Sequence, residues 1–542
     1  MDEKRKELAD LIYPDIKDYT YYEEMYPARN LPEGAEVLRV APSPTGFIHV
    51  GGLFQGLVAK KVAEQTGGVF FVRIEDTDQK RKIENGAEEI LNAFEEYDII
   101  PDETVGKGNY GPYVQSERQE IYKSYAKKLL EEGNAYPCFC SPEELDKIRE
   151  DQTKAQERTG YYGKWAKCRN MPVDMAIEKI KNGDPYIVRF KSPGNPDKKI
   201  RHKDIIKGSI EFPENDQDIV IIKSDGLPTY HFAHAVDDHL MGTTIVTRSD
   251  EWVASVPLHL QLFQVLGFKV PRYGHTAPLM KLDGDNSKRK LSKRKDPEAA
   301  VSYYTEEGIP KEAVKEYLMN IANSNFEIWR KQNPDKDMMK DFTFELNKMG
   351  VSGALFDLVK MQDVSKNVIS KFTAEEVYNE AYKWAEKYDP ELKEMLDDKE
   401  YSLKVLGIER GNQKPRKDIA KWSDVKYIIS YMYDDKFDKD EEREYQTIND
   451  KEEIDKIVKT YFEKYYDDSD DKETWFNKMK DLSEEFGYAR EVKEYKANPD
   501  AYKGHVGDVS TVIRIKLTGR SNTPDLYEIM KIIGKERLLK RI

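Results

Sequence analysis

The sequence predicts an α/β fold in which a parallel sheet is interrupted by an insertion and followed by a mostly α-helical region. Three observations lead to this prediction: a strand–helix–strand unit near the amino terminus, a mixed stretch over residues 115–230, and a helical pattern after about residue 300. The chain has 542 residues, whereas single hydrophobic cores stop growing near ~250–300 residues. We therefore expect two or more domains.

The strand–helix–strand unit consists of a strand-like run over residues 37–41, a helix over residues 51–66 and a buried strand over residues 69–74. Such a unit implies parallel strands joined by a right-handed crossover. Ligands of parallel sheets lie beyond the carboxyl ends of the strands. Residues 42–52 and 75–78 are therefore the first places to look for a site.

The remaining elements follow from weaker patterns. The sheet is expected to resume at the strand-like runs 218–222 and 245–246, and residues 1–35 read as a partly helical extension. Near the carboxyl terminus, Thr523 is predicted to cap a helix. The apolar residues that share one face of that helix are Leu526, Ile529, Met530 and Ile533.

Composition excludes several classes of protein. The formal net charge is −14, so any RNA binding must use local basic patches rather than the whole surface. No apolar run approaches the ~18 residues of a membrane span, and the charged amino terminus is no secretory signal. With only three cysteines, the chain suits a reducing, cytoplasmic setting without a membrane.

The first candidate site lies at the turn from strand to helix, in Pro42-Ser43-Pro44-Thr45-Gly46-Phe47-Ile48-His49-Val50-Gly51-Gly52. The free amides and the dipole of a helix N-terminus favour anions. Gly51 and Gly52 have no side chains, so a flat base or a phosphate can approach the backbone, and His49 adds a donor. The alternative is a Gly-rich turn with a structural histidine.

The second candidate site is the basic run Lys290-Leu291-Ser292-Lys293-Arg294, which follows a polar stretch and is expected on a mobile loop. Mobile lysines can close over a triphosphate and neutralise charge that builds up in a transition state. The alternative is a plain basic loop.

The third candidate site comprises Cys138, Cys140 and Cys168, which lie within one 31-residue span. Clustered thiolates suit Zn²⁺, which takes four tetrahedral ligands. The fourth ligand is left open, with Tyr161 and Tyr162 nearby. The alternative is three idle cysteines.

His49-Val50-Gly51-Gly52 and Lys290-Leu291-Ser292-Lys293 resemble the two signatures of class I aminoacyl-tRNA synthetases. Longer segments are similar to bacterial-type glutamyl-tRNA synthetases from about residue 36 onwards, with residues 1–35 and some acid-rich segments outside the resemblance. The similar segments are Arg39 to Gly46, Arg73 to Asp78, Tyr230 to His239, Thr247 to Trp252, Ser352 to Asp357 and Leu517 to Arg520.

This resemblance implies a Rossmann-like parallel-sheet catalytic domain with an inserted acceptor-binding domain, followed by a mostly α-helical C-terminal anticodon-binding region. The implied domains are an N-terminal extension (1–35), the first half of the catalytic domain (36–114), the connective or acceptor-binding insertion (115–230), the second half of the catalytic domain (231–285), a stem-contact region with the basic run (286–370) and the helical anticodon-binding domain (371–542).

The resemblance also implies a reaction. Glutamate would attack the α-phosphate of ATP, which carries Mg²⁺, and the glutamyl group of the adenylate would pass to tRNA(Glu), with tRNA(Gln) left open as a second substrate. A monomer is expected, and some relatives carry a similar cysteine zinc site.

By motif match, His49 and Lys293 would be the catalytic residues. The ATP-binding residues would be His49, Gly51, Gly52, Lys290 and Lys293. Arg39 and Arg248 would face the side-chain carboxylate of glutamate, Tyr230 would add a hydroxyl, and Glu75 and Ser43 would hold its amino group.

Three rival interpretations remain. Glutaminyl-tRNA synthetases usually have histidine where this chain has Gly52. A shortened paralogue that glutamylates a modified tRNA base lacks an anticodon-binding region, whereas about 170 residues follow residue 370 here. A catalytically inactive RNA-binding regulator has no need of the phosphate-binding residues, and ATP–pyrophosphate exchange would identify it.

Overall fold

The computed structural model describes residues 3–46, 48–80 and 83–542. Phe47 of the predicted turn and the first two residues of the predicted extension lie outside the described residues. The chain divides into two compact units, the first formed by Met1–Tyr303 with Lys315–Asp357 and the second by Tyr304–Val314 with Leu358–Ile542.

Up to residue 222 the chain contains both helices and strands. Before residue 115 they are α1 (Glu3–Ile12), α2 (Tyr19–Met25), β1 (Val37–Val40), α3 (Val50–Thr66), β2 (Val69–Val72) and α4 (Gly86–Glu96). From residue 115 they are α5 (Gln119–Glu132), β3 (Ala135–Cys138), α6 (Pro142–Lys154), α7 (Val173–Lys181), β4 (Ile187–Phe190), β5 (Lys199–Asp204), β6 (Gly208–Pro213) and β7 (Val220–Ile222).

Beyond residue 222 strands and helices continue as far as Lys290, and the later elements of the described residues are helices. The elements up to residue 369 are α8 (Tyr230–Leu240), β8 (Ile245–Ser249), α9 (Val256–Leu266), β9 (Arg272–Thr276), β10 (Met280–Leu282), β11 (Lys288–Lys290), α10 (Ser302–Glu307), α11 (Lys311–Ala322), α12 (Asn325–Gln332), α13 (Met338–Asp341) and α14 (Leu358–Ile369). Those that follow are α15 (Ala374–Tyr388), α16 (Pro390–Leu396), α17 (Lys399–Gly407), α18 (Trp422–Ile429), α19 (Lys451–Thr460), α20 (Lys472–Glu485), α21 (Val492–Ala497), α22 (Val506–Thr518), α23 (Leu526–Ile533) and α24 (Lys535–Leu539).

The central sheet is parallel and has the strand order β2-β1-β8-β9. The chain leaves β1 for β2 on one side and later returns to β8 on the other, so the strand order reverses between β1 and β8. Open α/β sheets bind ligands at such a point, beyond the carboxyl ends of the strands. The predicted fold class is therefore confirmed.

One predicted strand belongs to a different sheet. The run 218–222 contributes β7, which pairs antiparallel with β4 in a sheet of order β3-β4-β7. The prediction that the parallel sheet resumes there is wrong, because an apolar run specifies burial but not the partner strand. The run at 245–246 does rejoin the parallel sheet as part of β8.

Helix α3 ends where the glycines predicted. Gly67 caps its carboxyl end with a φ of 67°, a conformation that residues with a Cβ rarely adopt. A Cβ on Gly68 would lie 1.8 Å from the carbonyl oxygen of Glu36, so the chain can pass close to β1 only with glycine here. This close passage lets β2 start directly beside β1.

The N-terminal segment packs on the insertion rather than standing apart. Leu8, Ala9 and Ile12 of α1 are buried in one hydrophobic cluster with residues of α5. Glu23 of α2 accepts a hydrogen bond from Tyr125 and contacts the His239 imidazole at 3.0 Å. The helical extension is thus part of the first unit.

Helix α23 shows where the capping prediction fails. Asp525, not Thr523, caps it by accepting from the Glu528 backbone amide at 3.0 Å. The Thr523 hydroxyl instead accepts from Arg514. The predicted apolar face is buried, as expected: Leu526, Ile529, Met530 and Ile533.

None of the helices within the described residues combines the length and apolarity needed to cross a membrane.

Candidate active site

The predicted phosphate-binding turn joins β1 to α3 at the carboxyl edge of the sheet. His49 is the N-cap of α3, and its Nδ1 accepts a hydrogen bond from the Gly51 amide at 2.8 Å. The imidazole also has a hydrogen bond with the backbone of Leu291. Burial and the nearby Lys293 ammonium lower the pKa of His49, which keeps the ring neutral.

The basic run lies against this turn. Lys293 is exposed, and its Nζ lies 3.9 Å from the position that a Cβ on Gly46 would occupy. Partial burial lowers the pKa of the ammonium. Lys290 pairs with Glu251 at 3.2 Å. The structure thus brings together the two segments that are 241 residues apart in sequence (290 − 49).

The basic run is more ordered than a loop. Lys290 ends β11, which pairs with β10 in an antiparallel hairpin. Asp296 accepts two hydrogen bonds from Arg289 and a third from the Ser292 amide. Leu291 is buried. The expectation that the whole run lies on a loop is therefore wrong in its first part. The strand consists of three consecutive charged residues, Lys288 to Lys290, so it lacks the alternation of apolar and polar residues that predicts a strand.

A cleft of about 310 Å³ opens between the turn, the hairpin and the ends of β8 and β9. Its lining combines both motifs with strand-end residues: His49, Gly51, Gly52, Phe54, Gln55, Ser249, Glu251, Thr276, Ala277, Pro278, Leu279, Lys290 and Leu291. Apolar side chains and two glycines give it room for a flat base, and Lys290 is among its lining residues.

A buried charge network lies at the ends of β1 and β2. Arg39 is 3% exposed and donates from Nε and Nη2 to both carboxylate oxygens of Asp238. Arg73 donates to Asp238 at 2.9 Å and to Glu75 at 3.0 Å. Gln115 also donates to Glu75. Burial raises the pKa of Glu75, against the opposing effect of Arg73, and the guanidiniums hold the pKa of Asp238 well below its usual range.

Arg248 projects from β8 on the other side of the strand-order reversal. It donates to the Tyr230 hydroxyl at 3.3 Å, and its guanidinium lies 4.8 Å over the Tyr273 ring. The Tyr230 ring packs on Trp252 with the centroids 4.2 Å apart. Burial raises the pKa of Tyr230, which Arg248 and Arg39 oppose and Glu75 reinforces.

Contacts join these side chains into one region. Arg39 and Glu75 are linked through Asp238 and Arg73. His234 bonds to Asp238 and stacks on the Tyr230 ring, whose hydroxyl accepts from Arg248. Two cations and a carboxylate in one buried place suit an amino acid that has two carboxylates and one ammonium. Ser43 is exposed. Within the described residues, no hydrogen bond joins its side chain to this group.

The sequence left open how these side chains are supported: His234 stands where the resembled family usually has asparagine, so its contact could not be inferred, and Asp238 was not singled out. Asp238 and His234 are fully buried and bonded to each other, and both lie on α8 with Tyr230. The spacing of four residues between Tyr230, His234 and Asp238 places all three on one helix face, so this signal could have revealed them. His259 and His275 come from other elements, and no spacing relates them to α8.

The three cysteines form a compact cluster in the insertion. Their Sγ atoms lie within 4.8 Å of one another. The Tyr161 hydroxyl lies 3.4 Å from Cys138 Sγ and 3.3 Å from Cys140 Sγ, and it accepts from the Cys168 amide. The neighbouring thiols lower the pKa of Cys138, since one thiolate can accept hydrogen bonds from the others. Three sulfurs and one oxygen thus converge, as a tetrahedral metal site requires.

Family models match both units. The model of the catalytic domain of class I tRNA synthetases (E and Q) matches residues 37–362, and that of an anticodon binding domain matches residues 376–542. The second match excludes the shortened paralogue, which lacks that region.

Relatives match along nearly the whole chain. A glutamate–tRNA ligase of Clostridium perfringens is 50% identical over 544 residues, and one of Acetivibrio thermocellus is 51% identical over 547 residues, each alignment covering 99% of both proteins. Such coverage includes most of residues 1–35, so the expectation that this segment lies outside the resemblance is wrong.

A solved structure agrees with these relatives. The glutamate tRNA ligase of Elizabethkingia meningosepticum, in complex with its amino acid, superposes with a TM-score of 0.73 at 27% identity, covering 93% of this chain and 98% of that one. Given the fold, the site and these matches, the chain belongs to the glutamate–tRNA ligases, a family of class I aminoacyl-tRNA synthetases.

Proposed function

We propose that the described cleft and charge cluster activate L-glutamate with ATP and transfer the glutamyl group to the 3′ end of tRNA(Glu). The observation that carries this proposal is the position of Arg39, Glu75, Tyr230 and Arg248 beside a cleft lined by both phosphate-binding motifs. Glutamate would lie in the charge cluster and ATP in the cleft beside it, both at the strand-order reversal.

ATP would occupy the cleft with its base against Gly51 and Gly52 and its phosphates towards the lysines. Mg²⁺ would arrive with the nucleotide and spread its phosphate charge. Neutral His49 would fix the turn through its cap and offer little repulsion to Lys293. Lys293 would follow the charge that builds up on the phosphates as the glutamate α-carboxylate attacks, because its stem is exposed and free to turn.

Glutamate would be recognised by charge. Arg248 and Arg39 would face the side-chain carboxylate, Tyr230 would donate to it, and Glu75 with Ser43 would receive the ammonium. Glutamine has nearly the same shape, so a buried guanidinium left without an anion supplies most of the discrimination.

The test is ATP–pyrophosphate exchange with glutamate, run with and without tRNA, followed by charging of purified tRNA(Glu) and tRNA(Gln). Glutamate-dependent exchange and charging of tRNA(Glu) are expected, and charging of tRNA(Gln) decides whether a second tRNA is a substrate. Exchange supported by glutamine but not glutamate would contradict the proposal.

We also propose that Cys138, Cys140 and Cys168 bind one Zn²⁺, with the Tyr161 hydroxyl as the fourth donor. The convergence of these atoms supports the site. The ion would tie the end of β3 to the segment around Cys168.

Metal analysis of protein purified without a metal-affinity step should find one zinc per chain. Cys138→Ser should abolish it, and Tyr161→Phe should weaken it without removing the thiols. Tyr162→Phe is the matched control. Zinc-free protein whose three thiols titrate freely would contradict the site.

We propose further that the enzyme acts as a monomer in the cytoplasm. Light scattering of the purified chain checks the first point against the 63.0 kDa mass, and fractionation of cells checks the second.

A further inference from the structure

Arg248 differs from the other buried arginines near the site in what it contacts. Arg39 and Arg73 each donate to a buried carboxylate. Within the described part of the chain, Arg248 has no carboxylate partner: its contacts are His275, His259, the Tyr230 hydroxyl and the Trp252 carbonyl. Only 6% of Arg248 is exposed to solvent. Its charge is therefore buried without a counter-ion among the described residues.

Both histidines contact this guanidinium through a ring nitrogen that must be unprotonated. The Arg248 Nε donates to His275 Nε2 at 3.0 Å, and its Nη2 contacts His259 Nδ1 at 3.1 Å. Arginine has only donors, so each of these ring atoms has to present its lone pair.

A further group fixes each tautomer. His275 Nδ1 lies 2.6 Å from Asp204 Oδ2, so the proton of this ring sits on Nδ1. Asp204 is anchored in turn by the amides of Ile206 and Lys207. His259 Nε2 lies 2.9 Å from His231 Nδ1, so its proton sits on Nε2 and is donated to His231.

Burial favours the neutral form of both rings. It lowers the pKa of His275 and holds that of His259 well below its usual value, and the Arg248 charge acts in the same direction. If either ring were protonated, the nitrogen that faces the guanidinium would carry an N–H and could no longer accept a hydrogen bond from it. Neutral acceptors orient Arg248 without cancelling its charge, which a carboxylate in their place would do.

We propose that His259 and His275 are positioning residues that hold Arg248 with its charge uncompensated, so that the carboxylate of the amino-acid substrate is its first counter-ion. The guanidinium has five N–H groups, of which neutral acceptors take one on Nε, two on Nη2 and one on Nη1. The remaining Nη1 N–H is on the Tyr230 side. This inference rests on the proposed function and adds specificity-determining residues to it.

A crossed pair of substitutions tests the two ring atoms separately. Asparagine places its amide where Nδ1 of histidine lies, and glutamine reaches the position of Nε2. At position 259, asparagine therefore keeps the acceptor for Arg248, whereas glutamine loses it. At position 275 the roles are reversed, because the acceptor there is Nε2.

His259→Gln and His275→Asn should raise the KM for glutamate in pyrophosphate exchange by about 10-fold or more, the effect of losing one hydrogen bond to a charged group. His259→Asn and His275→Gln should stay within about 3-fold of wild type, within the ordinary variation of such effects. The KM for ATP should change little in all four variants, since neither histidine lines the nucleotide cleft.

A general loss of packing cannot produce this crossed pattern, because each residue type is expected to be mild at one position and severe at the other. Equal effects of asparagine and glutamine at both positions, or no effect at either position, would overturn the inference. The proposed function would still stand if the wild-type enzyme carries out exchange with glutamate. If a variant at one position fails to fold, the pair at the other position still decides. A wild-type enzyme without glutamate-dependent exchange would overturn the proposed function and this inference with it.

Discussion

The two sides of the candidate site are built differently. On the nucleotide side, Lys290 has one ion pair within the described residues, with exposed Glu251, and its side chain is 60% exposed. Lys293 is exposed as well. On the amino-acid side, Arg39, Arg248 and Glu75 are buried and fixed by several hydrogen bonds each. Folding already desolvates and orders the charged side chains of the amino-acid side. The lysines of the nucleotide side remain free to follow a moving phosphate.

This difference assigns separate tasks to the two sides. Rigid, desolvated charges discriminate between amino acids because a wrong substrate leaves them unpaired. Exposed lysines cannot discriminate in that way, but they can stabilise charge that appears only during the reaction. Substitutions on the nucleotide side should therefore lower kcat, and those on the amino-acid side should raise the KM for glutamate.

The largest effect is expected for Lys293→Ala. Removal of one group that stabilises transition-state charge typically costs on the order of 10²–10³ in rate, and the exposed stem makes loss of stability small. Pyrophosphate exchange at saturating substrates measures it. Lys269→Ala is the matched control, since this exposed lysine precedes β9 at the opposite edge of the sheet. Near wild-type exchange by the Lys293 variant would remove the proposed difference between the two sides.

Arg248→Gln should give the next largest effect, on the KM for glutamate rather than on kcat. The KM for glutamate should rise about 10- to 100-fold, as expected for losing hydrogen bonds to a charged group, and the preference over glutamine should narrow. The KM for ATP should stay near its wild-type value, because the nucleotide cleft lies against other residues. Arg272→Gln, at the exposed start of β9, is the control. If the variant keeps both the KM and the discrimination, Arg39 becomes the next residue to test.

The sequence predicted the two sides unequally well. His49, Gly51, Gly52 and Lys293 belong to short motifs, so their proximity followed from the resemblance, as did the parallel sheet that places them. The fold class was predictable because apolar residues recur at helical spacing between residues 51 and 66 and short apolar runs flank that helix.

The supporting residues were not predictable in this way. His259 lies on α9 and His275 on β9, and only the tertiary fold brings them to Arg248. The pairing of β7 with β4 likewise depends on the chain path through the insertion. The capping prediction for Thr523 failed for the same reason. Arg514 donates a hydrogen bond to the Thr523 hydroxyl, and a capping rule based on neighbouring residues does not include this contact.

The smallest expected effect is a pH-dependent change in stability that arises from buried His234 on the amino-acid side. Burial lowers the pKa of His234 from 6.5 to about 3, so the folded protein keeps this ring neutral while the unfolded chain binds a proton below pH 6.5. Its contribution to stability is therefore fully present above pH 6.5 and is lost as the pH falls towards 3, by at most about 1.4 kcal/mol per pH unit. His234→Asn removes this proton uptake. The variant should melt below the wild type at pH 7.5, where it lacks the bonds to Asp238 and Tyr273, and the gap should narrow by about 2 °C at pH 5.5. Thermal melting of both proteins between pH 7.5 and 5.5 measures the gap. Melting curves that shift in parallel over this range would show that His234 takes up a proton in the folded protein, so burial would not keep the ring that bonds to Asp238 neutral.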